Sequence, residues 1–128
     1  MAVTRFEELQ VWQKARELNK AVYLASRSSK MSRDYGFTDQ IRRCSISVMN
    51  NIAEGFDRWR RTEFLQFLST AKGSSGELRS MLYAALDVGY IDQSQFDELM
   101  AEAVDVNGSI GRFRTALERS PAKPNRKS

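Results

Sequence analysis

The sequence predicts an all-α protein that folds as an antiparallel, up-down-up-down four-helix bundle. Four segments of about 20 residues carry apolar residues at three- and four-residue steps, the spacing of one helix face. Short runs of turn-forming residues separate these segments, and no run has the two-residue period of a strand. The chain has 128 residues, enough for one hydrophobic core and not for two.

The first two predicted helices are marked by capping residues and by apolar stripes. Thr4 and Glu7 have the spacing of a capping box, so we expect the first helix to begin there. Thr38 is the expected N-cap of the second helix. The expected inward residues are Phe6, Leu9, Trp12, Leu18, Val22 and Ala25 in the first helix, and Ile41, Cys44, Val48, Ile52 and Phe56 in the second.

The last two predicted helices also have start and stop signals. Thr62 is the expected N-cap of the third helix, which ends at Gly89. Asp92 and Gln95 have the spacing of a second capping box, and Pro121 ends the fourth helix. The expected inward residues are Phe64, Phe67, Leu68, Ala71, Leu78, Leu82 and Ala85, then Phe96, Leu99, Ala103, Val106, Ile110, Phe113 and Leu117.

We expect an N-terminal arm at residues 1–5, a four-helix bundle at 6–119 and a basic tail at 120–128. The tail has no apolar residue beyond Ala122, and this composition predicts disorder. The chain has 20 basic and 16 acidic residues, and four of the basic residues and no acid lie in 119–128. Residues 1–118 are therefore neutral overall, with 16 residues of each sign.

Several features predict a cytoplasmic protein. The chain has no apolar run of the length that spans a membrane, and its N-terminus lacks the apolar segment of a signal peptide. Its single cysteine, Cys44, cannot form an internal disulfide, which fits a reducing compartment.

The composition argues against an enzyme. The chain has no histidine, the commonest general base and a common metal ligand, and we expect neither a metal nor another cofactor. Two carboxylates, Glu54 and Glu77, are the candidates for acid–base chemistry, and a hydrolase built on them is the weakest of three functional hypotheses.

Polar residues inside the second and third predicted helices suggest a structural polar network. If the hairpin turns near Arg60, residues whose numbers sum to about 120 lie opposite each other. This register predicts an ion pair between Arg43 and Glu77. It also predicts a close backbone approach at the Gly73–Gly76 segment, since glycine is a poor helix former. The predicted network consists of Arg43, Asn51, Glu54, Ser74 and Glu77.

An arginine-rich run between the second and third helices is the predicted nucleic-acid contact. Arginines bind phosphates, and an exposed tryptophan stacks on bases. The ordinary alternatives are a solvated loop with Trp59 packed on the end of the bundle, and a tail that only adds solubility. The predicted nucleic-acid-binding residues are Arg42, Arg58, Trp59, Arg60, Arg61, Lys123, Arg126 and Lys127.

Four segments carry a family resemblance: Phe6–Ala15, Tyr35–Arg43, Asn51-Ile-Ala-Glu-Gly55, and Glu63–Leu68 followed by Ala71-Lys-Gly-Ser-Ser-Gly-Glu77. In this order they resemble a bacterial four-helix-bundle family first noticed as reading frames in intervening sequences of large-subunit (23S) ribosomal RNA genes. The resemblance covers about residues 6–118. It implies a homopentamer of bundles around a central channel, so that the first expected partner of the chain is another copy of itself.

The resemblance also implies kinship with the accessory protein of diversity-generating retroelements, which binds reverse transcriptase and nucleic acid. The chain departs from the pattern in two ways. Met49 stands where the family usually has proline, and the neutral body is less basic than that of the retroelement branch.

These observations support one leading function and one alternative. The leading hypothesis is a non-enzymatic, oligomeric protein that associates with nucleic acid, RNA above all, or with a nucleic-acid-processing protein. The alternative is a protein-binding scaffold in which the acid-rich fourth helix of one copy meets the basic second helix of the next, closing a ring.

Overall fold

The computed structural model describes residues 3–58 and 60–120 of the chain. Five helices pack as a bundle, and the described residues contain no strand, so the all-α prediction is confirmed. A short 3-10 helix at Phe6–Glu8 precedes them. The five helices are α1 (Gln10–Ala25), α2 (Ser29–Arg33), α3 (Tyr35–Asp57), α4 (Arg61–Asp87) and α5 (Gln93–Arg119).

The four long helices are arranged so that each contacts two others. Helix α1 packs against α3 and α5, and α4 packs against α3 and α5 on the other side. Neighbouring helices run antiparallel. In the α4/α5 pair, for example, Arg61 contacts Ser120, whereas Ser69, further along α4, contacts Arg114. The one-turn helix α2 sits between α1 and α3 and contacts α3.

The core is formed by the predicted apolar stripes. All five inward residues expected in the second helix are buried in α3. Burying one large aliphatic side chain contributes about 1.5–3 kcal/mol, so the stripes account for most of the driving force for folding. The largest fully buried side chains include Leu18, Ile41, Ile52, Leu68, Leu78, Leu82 and Ile110.

The start of α3 differs from the prediction. Asp34, and not Thr38, is the N-cap, and its Oδ1 accepts a hydrogen bond from the Phe37 backbone N–H at 3.1 Å. Thr38 lies inside the helix and is buried, with its Oγ1 donating to the Met31 carbonyl at 2.5 Å. Helix α2, which the sequence did not predict, supplies that carbonyl and makes Thr38 a tertiary contact instead of a cap.

The predicted starts of the first and third helices are also corrected. Helix α1 begins at Gln10 with Leu9 as N-cap. Thr4 donates its backbone N–H to Glu8 at 2.9 Å, so the predicted capping box with Glu7 is wrong, and a 3-10 turn stands in its place. Helix α4 begins at Arg61, one residue before the predicted cap Thr62.

The predicted signals at the α4–α5 connection are confirmed. Helix α5 begins with a capping box in which Asp92 accepts from the Gln95 backbone N–H at 2.8 Å, and the Gln95 side chain accepts from the Asp92 N–H at 2.9 Å. Gly89 follows α4 with a φ of 81°, a left-handed conformation that favours glycine.

The predicted disordered tail lies outside the described residues, except for Ser120. The same holds for residues 1–2 of the predicted arm, for Pro121 and for Trp59. Within the described part of the chain, none of the helices is long and apolar enough to span a bilayer.

Candidate nucleic-acid interface

The arginines of the α3–α4 turn lie at one end of the bundle. Arg58 is half exposed; its Nε donates to Glu54 Oε2 at 2.9 Å, and its guanidinium lies 5.3 Å from the centre of the Phe67 ring. Arg60 is exposed and precedes α4, whose first residue, Arg61, donates to the Ser120 carbonyl at the end of α5. The turn therefore presents its cations beside the C-terminus of α5.

Arg42 is separated from this turn. Its Nε donates to Ser26 Oγ at 2.7 Å, and its guanidinium lies 4.8 Å from the centre of the Tyr23 ring. These partners are at the end of α1, which is the opposite end of the bundle because α1 and α3 are antiparallel. Arg42 therefore lies apart from the turn, because its position on α3 directs it against α1, and its contact with phosphate stays a prediction.

Part of the predicted polar network is present between α3 and α4. Ser47 Oγ and Ser74 Oγ are 2.9 Å apart, and Asn51 Nδ2 donates to Ser47 Oγ at 2.9 Å and to the Ser47 carbonyl at 2.8 Å. The residue numbers of the serine pair sum to 121, so the register predicted for this hairpin is confirmed.

The predicted ion pair between Arg43 and Glu77 is wrong. Arg43 Nε instead donates to Asp39 Oδ2 at 2.7 Å, one turn back on its own helix, and this contact raises the pKa of Arg43. An exposed arginine reaches a carboxylate at i−4 more readily than one across a helix interface.

Glu77, the predicted partner of Arg43, lies beside Cys44 instead. Burial, and then this carboxylate, raise the pKa of the Cys44 thiol to about 11.

Glu54 and Glu77, the two carboxylates considered for a hydrolase, do not share a site. Glu54 pairs with Arg58 at the end of α3, whereas Glu77 lies beside Cys44, ten residues earlier on α3. Ten residues of helix span about 15 Å, too far for two groups to act on one bond. In the ranges 3–58 and 60–120, no three or more acidic or cysteine side chains gather as metal ligands would.

The close backbone approach between α3 and α4 occurs at Gly55 and not at the Gly73–Gly76 segment. A Cβ at Gly55 would stand 2.7 Å from Phe67 Cβ and 2.8 Å from Phe64 Cδ1. A Cβ at Gly73 or Gly76 would meet no atom within 4 Å. The prediction failed because Gly73 lies on the exposed side of α4 and Gly76 on its half-exposed edge, away from α3.

A basic groove between α4 and α5 was missed by sequence analysis. It has a volume of about 780 Å³, and its lining includes four cationic side chains and no acidic one. The cations are Lys72 of α4 and Arg112, Arg114 and Arg119 of α5. Because Lys72 is forty residues away from Arg112, only the α4/α5 register brings them together. The available signal was the seven-residue step from Arg112 to Arg119, which places both on one side of a helix.

A series of contacts connects the groove to the α3–α4 turn. Starting at Arg61, the contacts step along α4 through Leu65 to Ser69, three residues before Lys72 of the groove. Arg114 Nε donates to the Leu65 carbonyl at 3.3 Å and to Ser69 Oγ at 2.8 Å. The groove and the turn therefore lie along the same α4/α5 side of the bundle.

The opposite edge of α5, which faces α1, is acidic. Glu17 of α1 and Glu102 of α5 line a groove of about 400 Å³. Burial, and then the charges of Glu17 and Glu98, raise the pKa of Glu102. Asp105 pairs with Lys14 at 3.2 Å in the same groove. Helix α5 thus separates a basic edge from an acidic one.

The model of the 23S rRNA-intervening sequence protein family matches residues 7–112. The chain belongs to this family.

A solved structure supports the same fold for this member of the intervening sequence protein family. It is a Bacteroides thetaiotaomicron protein of unknown function from the S23 ribosomal protein family, with a TM-score of 0.75 and 21% sequence identity. The similarity covers 82% of this chain and 95% of that one. At this identity the likeness concerns the fold alone. A search of curated proteins found no match.

The family match covers only part of the basic groove of this intervening sequence protein. It spans α1 to α4 and the first part of α5, and it ends at Arg112. Arg114 and Arg119 of the groove, together with Lys123, Arg126 and Lys127, come after the matched residues. Two of the four cations of the basic groove therefore lie beyond the family match.

Proposed function

We propose that this intervening sequence protein is a non-enzymatic, oligomeric bundle that binds RNA through the basic surface at the α3–α4 turn and the C-terminal end of α5. The observation that carries the proposal is that cations from α4 and α5 line one groove without an acidic neighbour in its lining. Such clusters attract phosphates and supply most of the affinity in sequence-independent binding.

The predicted nucleic-acid-binding residues have different roles in this proposal. Arg60 contacts phosphates from the turn, and Arg58 does so by exchanging its exposed ion pair with Glu54 for a phosphate. Arg61 supports the surface through its bond to Ser120. Trp59 stacks on an exposed base, as the sequence predicts. The basic residues Lys123, Arg126 and Lys127 follow directly after the groove in the sequence and add affinity that falls with salt.

In this proposal the protein works in the cytoplasm as a homopentamer, the assembly that the family resemblance implies. Kinship with the retroelement accessory protein is part of the same proposal and would add reverse transcriptase as a protein partner.

A titration with structured RNA tests the proposal. Fluorescence anisotropy at low salt should show binding at micromolar protein, with an affinity that decreases steadily as salt increases. Arg58→Gln combined with Arg60→Gln should weaken binding, because it removes two exposed cations from the turn. Lys30→Gln combined with Arg33→Gln, at the opposite end, removes the same charge and should have little effect. Absence of binding by the unaltered chain would contradict the proposal.

A protein-binding scaffold is the second candidate, favoured by the acidic α1/α5 edge. Burial, and then the nearby charges of Glu17 and Glu98, raise the pKa of Glu102, and this acidic edge complements a basic surface of another molecule. Light scattering distinguishes the two functions when combined with the RNA titration. A stable oligomer that binds no RNA under any salt condition would favour the scaffold.

A further inference from the structure

The α4/α5 groove has three cations whose charges are not neutralised within the described chain. Lys72, Arg112 and Arg119 are all exposed. Among residues 3–58 and 60–120, none of the three forms an ion pair, although five pairs occur elsewhere in that part of the chain. Arg112 donates one bond, to Ser109 Oγ at 3.2 Å, which leaves most of its guanidinium hydrogens free.

Arg114, the fourth cation of the groove, is used differently. Its Nε donates to Ser69 Oγ and to the Leu65 carbonyl, and its Nη1 lies 3.0 Å from Glu118 Oε2. These contacts join α4 to α5 and neutralise its charge. Arg114 therefore holds the two walls together, and the other three cations are left for a ligand.

Two glycines of α5 shape the floor of the groove. A Cβ at Gly111 would lie 3.3 Å from Lys72 Cε, and one at Gly108 would lie 3.1 Å from Arg112 Nη1. Because these two glycines have no side chain, the side chains of Lys72 and Arg112 lie close to the surface of α5. Glycine is unfavourable inside a helix, and here it gives the cations room beside α5.

We propose that this groove binds the phosphate backbone of single-stranded RNA through Lys72, Arg112 and Arg119. The inference rests on the proposed function and names the part of the surface and the form of RNA that it takes. The two arginines are seven residues apart, about 10 Å along α5. Each strand of a duplex advances about 3.4 Å per nucleotide, so two arginines about 10 Å apart reach different phosphates of one strand.

The shape of the groove favours a single strand over a duplex. The width of the groove is set by the spacing of packed helices, about 8–10 Å, which accommodates one strand. A duplex, whose major groove alone is about 12 Å wide, would contact it with only one of its two strands. The lining includes no aromatic side chain on which a base could stack. The groove should therefore bind the backbone with little preference for base.

The same lining disfavours an anionic membrane surface as the ligand. Proteins that bind at bilayer interfaces insert aromatic or large aliphatic side chains beside their cations. The groove lining offers only small or polar residues besides its cations, such as Thr115 and Ala116. Vesicles of anionic phospholipid are therefore included in the test as the competing ligand.

The test compares three forms of the full chain by anisotropy with fluorescent oligouridine and oligoadenosine. The groove variant carries Arg112→Gln and Arg119→Gln. The control variant carries Lys30→Gln and Arg33→Gln, which remove the same charge from exposed residues of α2. Circular dichroism and melting temperature establish that both variants fold.

We expect the groove variant to bind both oligomers about tenfold more weakly than the unaltered chain and the control. The slope of log affinity against log salt should fall by about 1.4, because each lost phosphate contact removes about 0.7 for a single strand. Both oligomers should bind the unaltered chain similarly, and duplex RNA should bind more weakly.

The possible failures are distinguishable. If the groove variant binds single strands as tightly as the control, the groove assignment is wrong and the RNA-binding function stands. If the unaltered chain binds structured RNA and no single strand, the inference is again overturned. If it binds vesicles and no RNA of any form, both the groove assignment and the proposed function fail.

Discussion

Helices α3 and α4 contain glycines whose surroundings are opposite. Gly55 faces the neighbouring helix, where a Cβ would stand 2.7 Å from Phe67 Cβ. Gly73 and Gly76 face away from α3, and a Cβ there would meet no atom within 4 Å. Glycine inside a long helix is therefore explained by close packing at one position and not at the other two. At Gly55 glycine is required by packing, whereas nothing in the described chain requires it at Gly73 or Gly76.

The largest expected effect is that of Gly55→Ala. The added methyl would overlap Phe67 Cβ and the Phe64 ring, and Phe67 Cβ cannot swing away because it is attached to the backbone of α4. Overpacking of this kind costs about 1–3 kcal/mol. Urea denaturation should show a lower midpoint for the variant. A midpoint equal to that of the unaltered chain would mean that the α3/α4 approach is looser than described.

Gly76→Ala should have a smaller effect of the opposite sign. Alanine is a better helix former than glycine, and no atom obstructs the methyl, so the free energy of unfolding should rise by about 0.5–1 kcal/mol. Gly73→Ala should behave likewise. The same denaturation experiment measures all three variants. Loss of stability in either α4 variant would show that this face contacts something not seen in the single chain.

The smallest expected effect concerns the other end of the α3/α4 pair. Tyr90, after α4, donates its hydroxyl to Asp34 Oδ2 at 2.5 Å, and Asp34 caps α3. Tyr90→Phe should lower the melting temperature slightly at neutral pH. Tyr83→Phe, on the exposed side of α4 with its ring against Phe96, is the matched control.

The hydrogen bond between Tyr90 and Asp34 should contribute less to stability at both low and high pH. The Tyr90 hydroxyl, and then the Phe37 N–H, lower the pKa of Asp34 from its ordinary 3.8. This part of the stability is present above pH 3.8 and is lost as pH falls through the lowered value. The bond to Asp34 raises the pKa of Tyr90 above its ordinary 10.0, so the stability is lost again as pH rises through the raised value.

The difference between Tyr90→Phe and the unaltered chain should therefore be largest between these two limits. Thermal melts from pH 3 to pH 11 measure it. A difference that stays constant across this range would show that the loss comes from packing of the hydroxyl, with no role for the Asp34 charge.

The sequence predicted the interior of the bundle better than its surface. Apolar periodicity identifies residues that face a core, and Val48, Ile52 and Leu68 are buried as expected. The α3/α4 register also followed from the sequence, because a short turn leaves antiparallel helices little freedom to slide. The side chain of Arg43 was predicted less well. It pairs with Asp39, four residues earlier on the same helix, and not with Glu77 across the helix interface.

The basic groove could not be predicted in the same way. Its cations come from two helices, and their proximity depends on how α4 and α5 rotate against each other. From the sequence alone, Gly108 and Gly111 are only two poor helix formers inside the fourth predicted helix. Only the coordinates show that their missing side chains give space to Arg112 and Lys72. Surface sites built across two helices therefore need the structure.

The environment of Cys44 has a practical consequence for spectroscopy. It is the only cysteine of the chain, it is buried, and its thiol has a pKa of about 11, so little reactive thiolate exists near neutral pH. Maleimide dyes should leave it unmodified. A second cysteine placed at an exposed position, such as Thr115 beside the groove, can carry a fluorophore while Cys44 keeps its native side chain.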